Sequence, residues 1–180
     1  MLPILQEIIN EISDVMNKVD ESQIEETMRY IQHDSNIFVS GEGRSGLMAK
    51  GFAMRLMHLG YTVYVVGETI TPALKGGDVI FLVSGSGESS SVVSDGKKAL
   101  EKACKVIAVT SKKHSSIGEL AHHTLVNPGT VKGETGKERG SIQLLSSLFD
   151  QSLHVVLDAI CYLVSVRDQV SNRNATGMHW

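Results

Sequence analysis

Apolar residues follow two different periods along this chain. Over residues 2–19, Leu2, Leu5, Ile8, Ile9, Ile12, Val15, Met16 and Val19 recur at helical spacing with acids on the other face. This broad stripe precedes any strand for it to cover, so it packs either on the chain's own core or on another subunit. A second helix is predicted at about 21–32, where Ser22 and Glu25 have capping-box spacing. The pattern then changes. Short continuous apolar runs predict buried strands at Asn36–Ser40, Tyr61–Val66, Asp78–Val83, Lys105–Thr110 and Thr124–Val126. Helical segments separate them, at Leu47–Leu59 (stopped by Gly60), at 89–103 and at about 115–121. A final helix at about 141–167 carries Leu144, Leu145, Leu148, Leu153, Val156, Leu157, Ile160 and Leu163. The polar tail Ser171–Trp180 is left either frayed or docked on a neighbour. Strands alternating with helices predict an α/β fold, a doubly wound parallel sheet, with ligands at the carboxyl ends of the strands. No internal boundary interrupts residues 1–180, so one domain is expected.

Two of the strands end in related loops. NIFVSGEGRSG (36–46) and DVIFLVSGSGESS (78–90) are each an apolar run that stops in Gly, Ser and a charged residue, then enters a helix. Free N–H groups and the positive end of the helix dipole at such a junction suit a phosphate. In the second loop Ser84, Ser86, Ser89, Ser90 and Ser91 offer hydroxyls, while Gly85 and Gly87 allow close backbone approach. Glu88 either reaches substrate hydroxyls or favours the helix start. The first loop also matches G-x-G-x-x-G, with Glu68 roughly twenty residues on, which is the dinucleotide fingerprint. Against it, Arg44 and Ser45 stand where bare backbone is wanted, and the hydroxyl-rich second loop is unexplained. The stretch 128–140, PGTVKGETGKERG, is the one long loop, either a solvated loop or a lid. Its Gly136-Lys137 fails as a Walker A loop, because no Gly lies five positions before Gly136 and Glu138 follows the lysine.

Composition narrows the partners. The net charge of −3, with no long run of Lys or Arg, argues against nucleic acid. Cys104 and Cys161 lack CxxC spacing and read as buried thiols in a reducing cytosol. Without a basic leader or a run of ~18 uncharged apolar residues, no membrane partner is expected and the protein is placed in the cytoplasm. His122, His123 and His154 lack a third ligand at metal spacing and read as structural, so no metal is expected.

GEGRSG after the first strand and SGSGES after the third resemble the sugar isomerase (SIS) domain. FAMRLMHLGYTVYVVGETITP (52–72), SGSGESSSVV and SIQLLSSLFDQSLHVVLDA (141–159) are further similar to the 6-phospho-3-hexuloisomerase subfamily, over nearly the whole chain. The resemblance implies a five-stranded, three-layer α/β/α sandwich, flavodoxin-like in its winding. It also implies a homotetramer with shared active sites, in which residues 1–33 and 141–180 serve assembly. The implied reaction interconverts D-arabino-hex-3-ulose 6-phosphate and fructose 6-phosphate, after formaldehyde capture in the ribulose monophosphate pathway. An enediol route needs a base and oxyanion donors, but neither metal nor nicotinamide, so no cofactor is expected. By resemblance Ser45, Ser84, Ser86 and Ser89 hold the phosphate, with Gly85, Gly87 and Glu88 beside them and Arg44 adding charge. The subfamily segment QPMGSLFEQ reads QLLSSLFDQ here, so Asp150 stands where the family has its catalytic Glu, shorter by about 1.5 Å of chain. The family's tail His is also absent, Arg173-Asn174-Ala175-Thr176 standing in its place. Glu68 and His58 complete the acid/base candidates, although either also reads as structural. A loop carboxylate bonds backbone, and a helix-terminal His is favoured by the dipole. The two departures favour an alternative, a non-catalytic phosphosugar sensor on the same fold.

Overall fold

The computed structural model of the chain describes residues 2–136 and 139–180, so the Gly136-Lys137-Glu138 stretch rejected as a Walker A loop falls partly outside them. The elements run α1 (Pro3–Met16), α2 (Glu21–Arg29), β1 (Ile37–Gly41), α3 (Gly43–His58), β2 (Val63–Val65) and β3 (Val79–Val83). They continue with α4 (Ser90–Glu101), β4 (Lys105–Thr110), α5 (Ser116–Leu120), β5 (His123–Val126), α6 (Ser147–Arg167) and α7 (Asn172–Gly177). All five strands pair in parallel in the order β2-β1-β3-β4-β5. This is the expected α/β architecture. Because β1 is followed on one side by β2 and flanked on the other by β3, the winding reverses between β1 and β3. That is where an open α/β sheet binds its ligand.

Pleating divides the core into two layers. Ile37 and Val39 of β1, Val79, Phe81 and Val83 of β3, and Ile107 and Val109 of β4 face Phe52 and Leu56 of α3 and Leu153 and Ile160 of α6. Phe38, Ile80, Leu82, Val106 and Ala108 point the other way, onto Val92 and Ala99 of α4 and Ile117 of α5. Every residue of β3 is buried, which is why its sequence is apolar without alternation.

The edge strand β5 is covered by α2. Val126 donates its N–H to Gln23 Oε1 at 2.8 Å, and Thr27 Oγ1 lies 3.0 Å from His123 Nε2. His122 Nδ1 accepts from the Val106 N–H at 3.0 Å. Both histidines thus occupy backbone and side-chain groups that an exposed edge would leave unpaired. The chain's own core takes up only part of the α1 stripe: Val15 is buried, whereas Leu2, Ile4, Leu5 and Ile9 remain exposed.

Several boundaries differ from the sequence reading, among them β2, which is only Val63–Val65, and α2, which ends at Arg29. α3 starts at Gly43 instead of Leu47, because GRSG is itself the first helical turn. The tail forms α7, capped by Ser171, which accepts from the Asn174 N–H. The last long helix begins at Ser147, not 141. Residues 141–143 are instead held by Glu11, which accepts from Ser141 Oγ, the Ile142 N–H and Gln143 Nε2 at 2.7–2.9 Å. Burial pushes the Glu11 carboxyl up, but these donors and the nearby Arg139 outweigh it and hold it below its ordinary value. Leu145 then adopts a left-handed φ of 52°, which no helix continues through. α6 is long and apolar enough by length and composition to cross a membrane, but half of that stretch is buried inside the domain. It is the core helix.

The two outer glycines of GEGRSG fix how α3 leaves β1. A Cβ on Gly46 would lie 2.5 Å from the Gly41 carbonyl oxygen, so backbone meets backbone there. Gly46→Ala is therefore expected to cost roughly 1–3 kcal/mol of stability, read as a lower urea midpoint at unchanged m. Gly51, in the middle of α3 with open space around it, is the control. Gly51→Ala is expected to be stabilising by about 1 kcal/mol, and equal losses at the two positions would refute the close-packing account.

Candidate functional site

Three chain segments converge at the carboxyl end of the sheet around a cavity of about 720 Å³. The first loop contributes Glu42, Gly43, Arg44 and Ser45, and the second contributes Ser84, Gly85, Ser86 and Ser89. The third wall is Val131 and Lys132 with Leu144–Ser147 and Asp150. Gly85 has no room for a side chain, because a Cβ there would lie 2.9 Å from Val131 Cγ1 and 3.1 Å from Phe149 Cδ1.

The helix starts explain what this cavity prefers. α2, α5 and α7 each carry a side-chain cap, from Asp20, Ser115 and Ser171. α1 begins with Pro3, which has no N–H to satisfy. The three helices that start at the cavity are different. α3, α4 and α6 have Glu42, Ser89 and Ser146 at their N-caps, and none of these side chains caps its own helix. First-turn N–H groups without an internal partner are donors awaiting an acceptor, at the positive end of the helix dipole. Three such ends around one cavity, with Arg44 and Lys132 among its lining residues, favour an anion.

Asp150 lies in the same wall, in the first turns of α6 and only 2 % exposed. Ser45 Oγ donates to its Oδ1 at 2.8 Å, and Arg44 Nε stands 3.7 Å from Oδ2. Burial pushes the Asp150 carboxyl above its ordinary value, while the Ser45 hydrogen bond and the Arg44 charge pull the other way. Arg44 is itself steadied by Nη1 donating to Ser147 Oγ at 2.7 Å. A buried carboxylate with a raised proton affinity, beside a cation and hydroxyls, has the chemistry of a general base.

The cavity thus brings together Arg44, Ser45, Ser84, Gly85, Ser86, Ser89 and Asp150 from the residues expected for the site. Others fall elsewhere. Glu88 turns away and holds the start of α5, accepting from the Ser116 N–H at 2.8 Å and from the Ser116 hydroxyl. Gly87, at φ 72°, makes the turn that seats the loop against Ser115. Glu68 pairs with Lys50 at 3.5 Å in a separate depression beside β2. His58 is buried at the end of α3, stacked on His179, and burial with the nearby Arg55 and His179 charges lowers its proton affinity. Within one chain, Glu68 and His58 do not share a cavity with Asp150.

Four wall residues were not expected from the sequence. Glu42 was visible only as an unassigned position of the glycine motif. Ser146 and Ser147 were absorbed into a leucine-rich helix, and Ser146 Oγ instead accepts from the Lys132 N–H at 2.9 Å. Lys132 comes from the Gly-rich loop, where no periodicity marks which residues line the cavity.

Comparison with known proteins agrees with the fold. The SIS domain model matches residues 30–133. A 3-hexulose-6-phosphate isomerase of Bacillus subtilis is 39% identical over 86% of this chain and 83% of its own length. One of Mycobacterium gastri is 39% identical over 84% of this chain and 75% of its own. Among solved structures, a Methanococcus jannaschii protein superposes with a TM-score of 0.82 at 28% identity, covering 99% of this chain and 98% of its own. Its crystal structure was taken to infer a function of 3-hexulose-6-phosphate isomerase. With its sheet order, its paired phosphate-type loops and this similarity along most of its length, the chain belongs to the SIS domain family.

Proposed function

We propose that the protein is a 3-hexulose-6-phosphate isomerase, interconverting D-arabino-hex-3-ulose 6-phosphate and fructose 6-phosphate. The observation that carries this reading is the meeting of three uncapped helix starts with a buried carboxylate in one cavity. Related isomerases at 39% identity support the choice of substrate.

The chemistry moves a carbonyl between C3 and C2. A base removes the proton from C2, the carbonyl at C3 takes up the electrons, and a 2,3-enediolate forms. The proton returns at C3 as the hydroxyl proton passes from O2 to O3, so atoms and charge balance. Asp150 is the proton carrier, and its raised affinity brings it closer to the range in which a carboxylate shuttles protons. Arg44, beside Asp150, stabilises developing negative charge on the sugar oxygens, while the Ser45 hydroxyl, whose one proton goes to Asp150, orients the carboxylate. The 6-phosphate is the anchor. Held by Ser84, Ser86 and Ser89 and the open helix starts, it fixes C2 and C3 without taking part in bond making. The reaction fits a place after formaldehyde fixation in the ribulose monophosphate pathway, in the cytoplasm.

The exposed apolar residues of α1 and of α6, where Tyr162 and Val166 face outward, support assembly as a homotetramer. In such an assembly exposed Glu68 serves the reaction only across a subunit boundary, whereas His58, buried in its own chain, stays structural. A second reading is favoured by the short reach of Asp150 and its engagement by Ser45: a phosphosugar sensor that binds without turnover.

A coupled assay separates them, with hexulose 6-phosphate generated from formaldehyde and ribulose 5-phosphate by a separate synthase. Wild type is expected to produce fructose 6-phosphate, and Asp150→Asn to lower kcat by about 10²–10⁴ while fructose 6-phosphate still raises its Tm. Full turnover by Asp150→Asn would remove the base assignment. An inactive wild type that fructose 6-phosphate still stabilises would make the protein a sensor.

Burial of Asp150 also has a thermodynamic signature. Its folded proton affinity is raised, so between the unfolded value (about 3.9) and the folded one the native state binds the proton more tightly. Its stability contribution is present below that window and is lost as pH rises through it. Asp150→Asn is expected to be more stable than wild type at pH 7, with the difference shrinking as pH falls toward 4. A Tm difference that does not narrow on acidification would contradict this.

A further inference from the structure

Glu42 is the one acidic group lining the cavity with no part in the mechanism above. It stands at the N-cap of α3, but its carboxylate does not cap α3. It reaches across to the second loop, where Ser89 Oγ donates to its Oε2 at 2.8 Å and Ser91 Oγ donates to its Oε1. Ser89 is the N-cap of α4, and its hydroxyl is spent on Glu42 instead of on its own helix. The carboxylate therefore sits between two open helix starts, on hydroxyl donors that suit an incoming anion. The hydroxyl donors hold its carboxyl below its ordinary value, so it is charged at neutral pH.

We infer that Glu42 acts as an internal competitor for the phosphate subsite and sets the strength with which the cavity takes an anion. The cavity is lined by two basic residues, Arg44 and Lys132, and two acidic ones, Glu42 and Asp150. A phosphate dianion consequently enters a cavity without net positive charge, and it needs the hydroxyl of Ser89 that Glu42 already occupies. To bind, it must either displace the Glu42 side chain or bear its repulsion at short range. Displacement is feasible at this position. Gly43 follows at φ 56°, and a Cβ there would meet no atom within 4 Å, so the space beside the Glu42 side chain is open. Glu42 thus moderates affinity for product as well as substrate. Weaker retention of fructose 6-phosphate would speed its release where release limits turnover.

The inference rests on the cavity being the phosphate site, and the test separates the two. Binding of inorganic phosphate and of fructose 6-phosphate would be measured by titration calorimetry for wild type, Glu42→Gln and Glu42→Ala. Removing the charge is expected to tighten both ligands, by roughly tenfold for a partly solvated charge a few ångströms away. A role in merely organising Ser89 and Ser91 predicts the opposite sign. Weaker or unchanged binding in both variants, with wild type still binding fructose 6-phosphate, would overturn the inference alone. Binding by none of the three proteins would overturn the phosphate site and the inference together. Glu42→Gln keeps the shape of the side chain, so tightening in that variant together with Glu42→Ala supports the charge as the cause.

Discussion

The constraint on which this molecule depends is that parallel strands all end on the same side of the sheet. Each helix that follows a strand must start there, and each start brings first-turn N–H groups that its own helix cannot satisfy. Elsewhere the chain meets that demand locally, with Asp20, Ser115 and Ser171. At the carboxyl ends of β1 and β3 it does not, and α6 adds a third open start from a distant part of the sequence. Leaving these donors without caps costs helix stability, of the order of 1 kcal/mol for a missing cap. The concentration of that cost in one cavity is what distinguishes a binding site from three ordinary turns.

Much of this was legible in the sequence, for a physical reason. Buried parallel strands are apolar at every position, and β3 with its following loop is the plainest instance, VIFLV running into SGSGES. That Gly46 packs helix on strand, with no room for a Cβ against Gly41, came from the structure. Asp150 was found by resemblance, not by pattern, since a lone acid on an apolar helix has no period. What could not be read were the long-range partners. That Glu88 holds α5 depends on Ser116, twenty-eight positions away. The late start of α6 depends on Glu11, more than a hundred and thirty positions away. Leucine spacing alone favoured continuing that helix back to 141. The carboxylate of Glu11 took the donors at 141–143, and the left-handed turn at Leu145 broke the continuity.

That late start also bears on the short side chain of Asp150, the proposed base. A carboxylate can be advanced toward a substrate by lengthening its side chain or by moving the backbone that carries it. Here the backbone entering α6 is held from two sides, by Glu11 at 141–143 and by the Lys132 N–H on Ser146 Oγ. Arg44 ties the first residue of the helix, Ser147, to the first loop. Ser45, in the same turn of α3, holds the carboxylate itself. The position of Asp150 is therefore set by four contacts from three segments, and the loss of one methylene is measured against that frame, not against a free helix end. The same contacts link base and phosphate loop. Arg44 and Ser45 belong to the turn that Glu42 begins, so an anion that shifts Glu42 acts on the turn that orients Asp150. Substrate anchoring and base positioning are in this way two consequences of one loop.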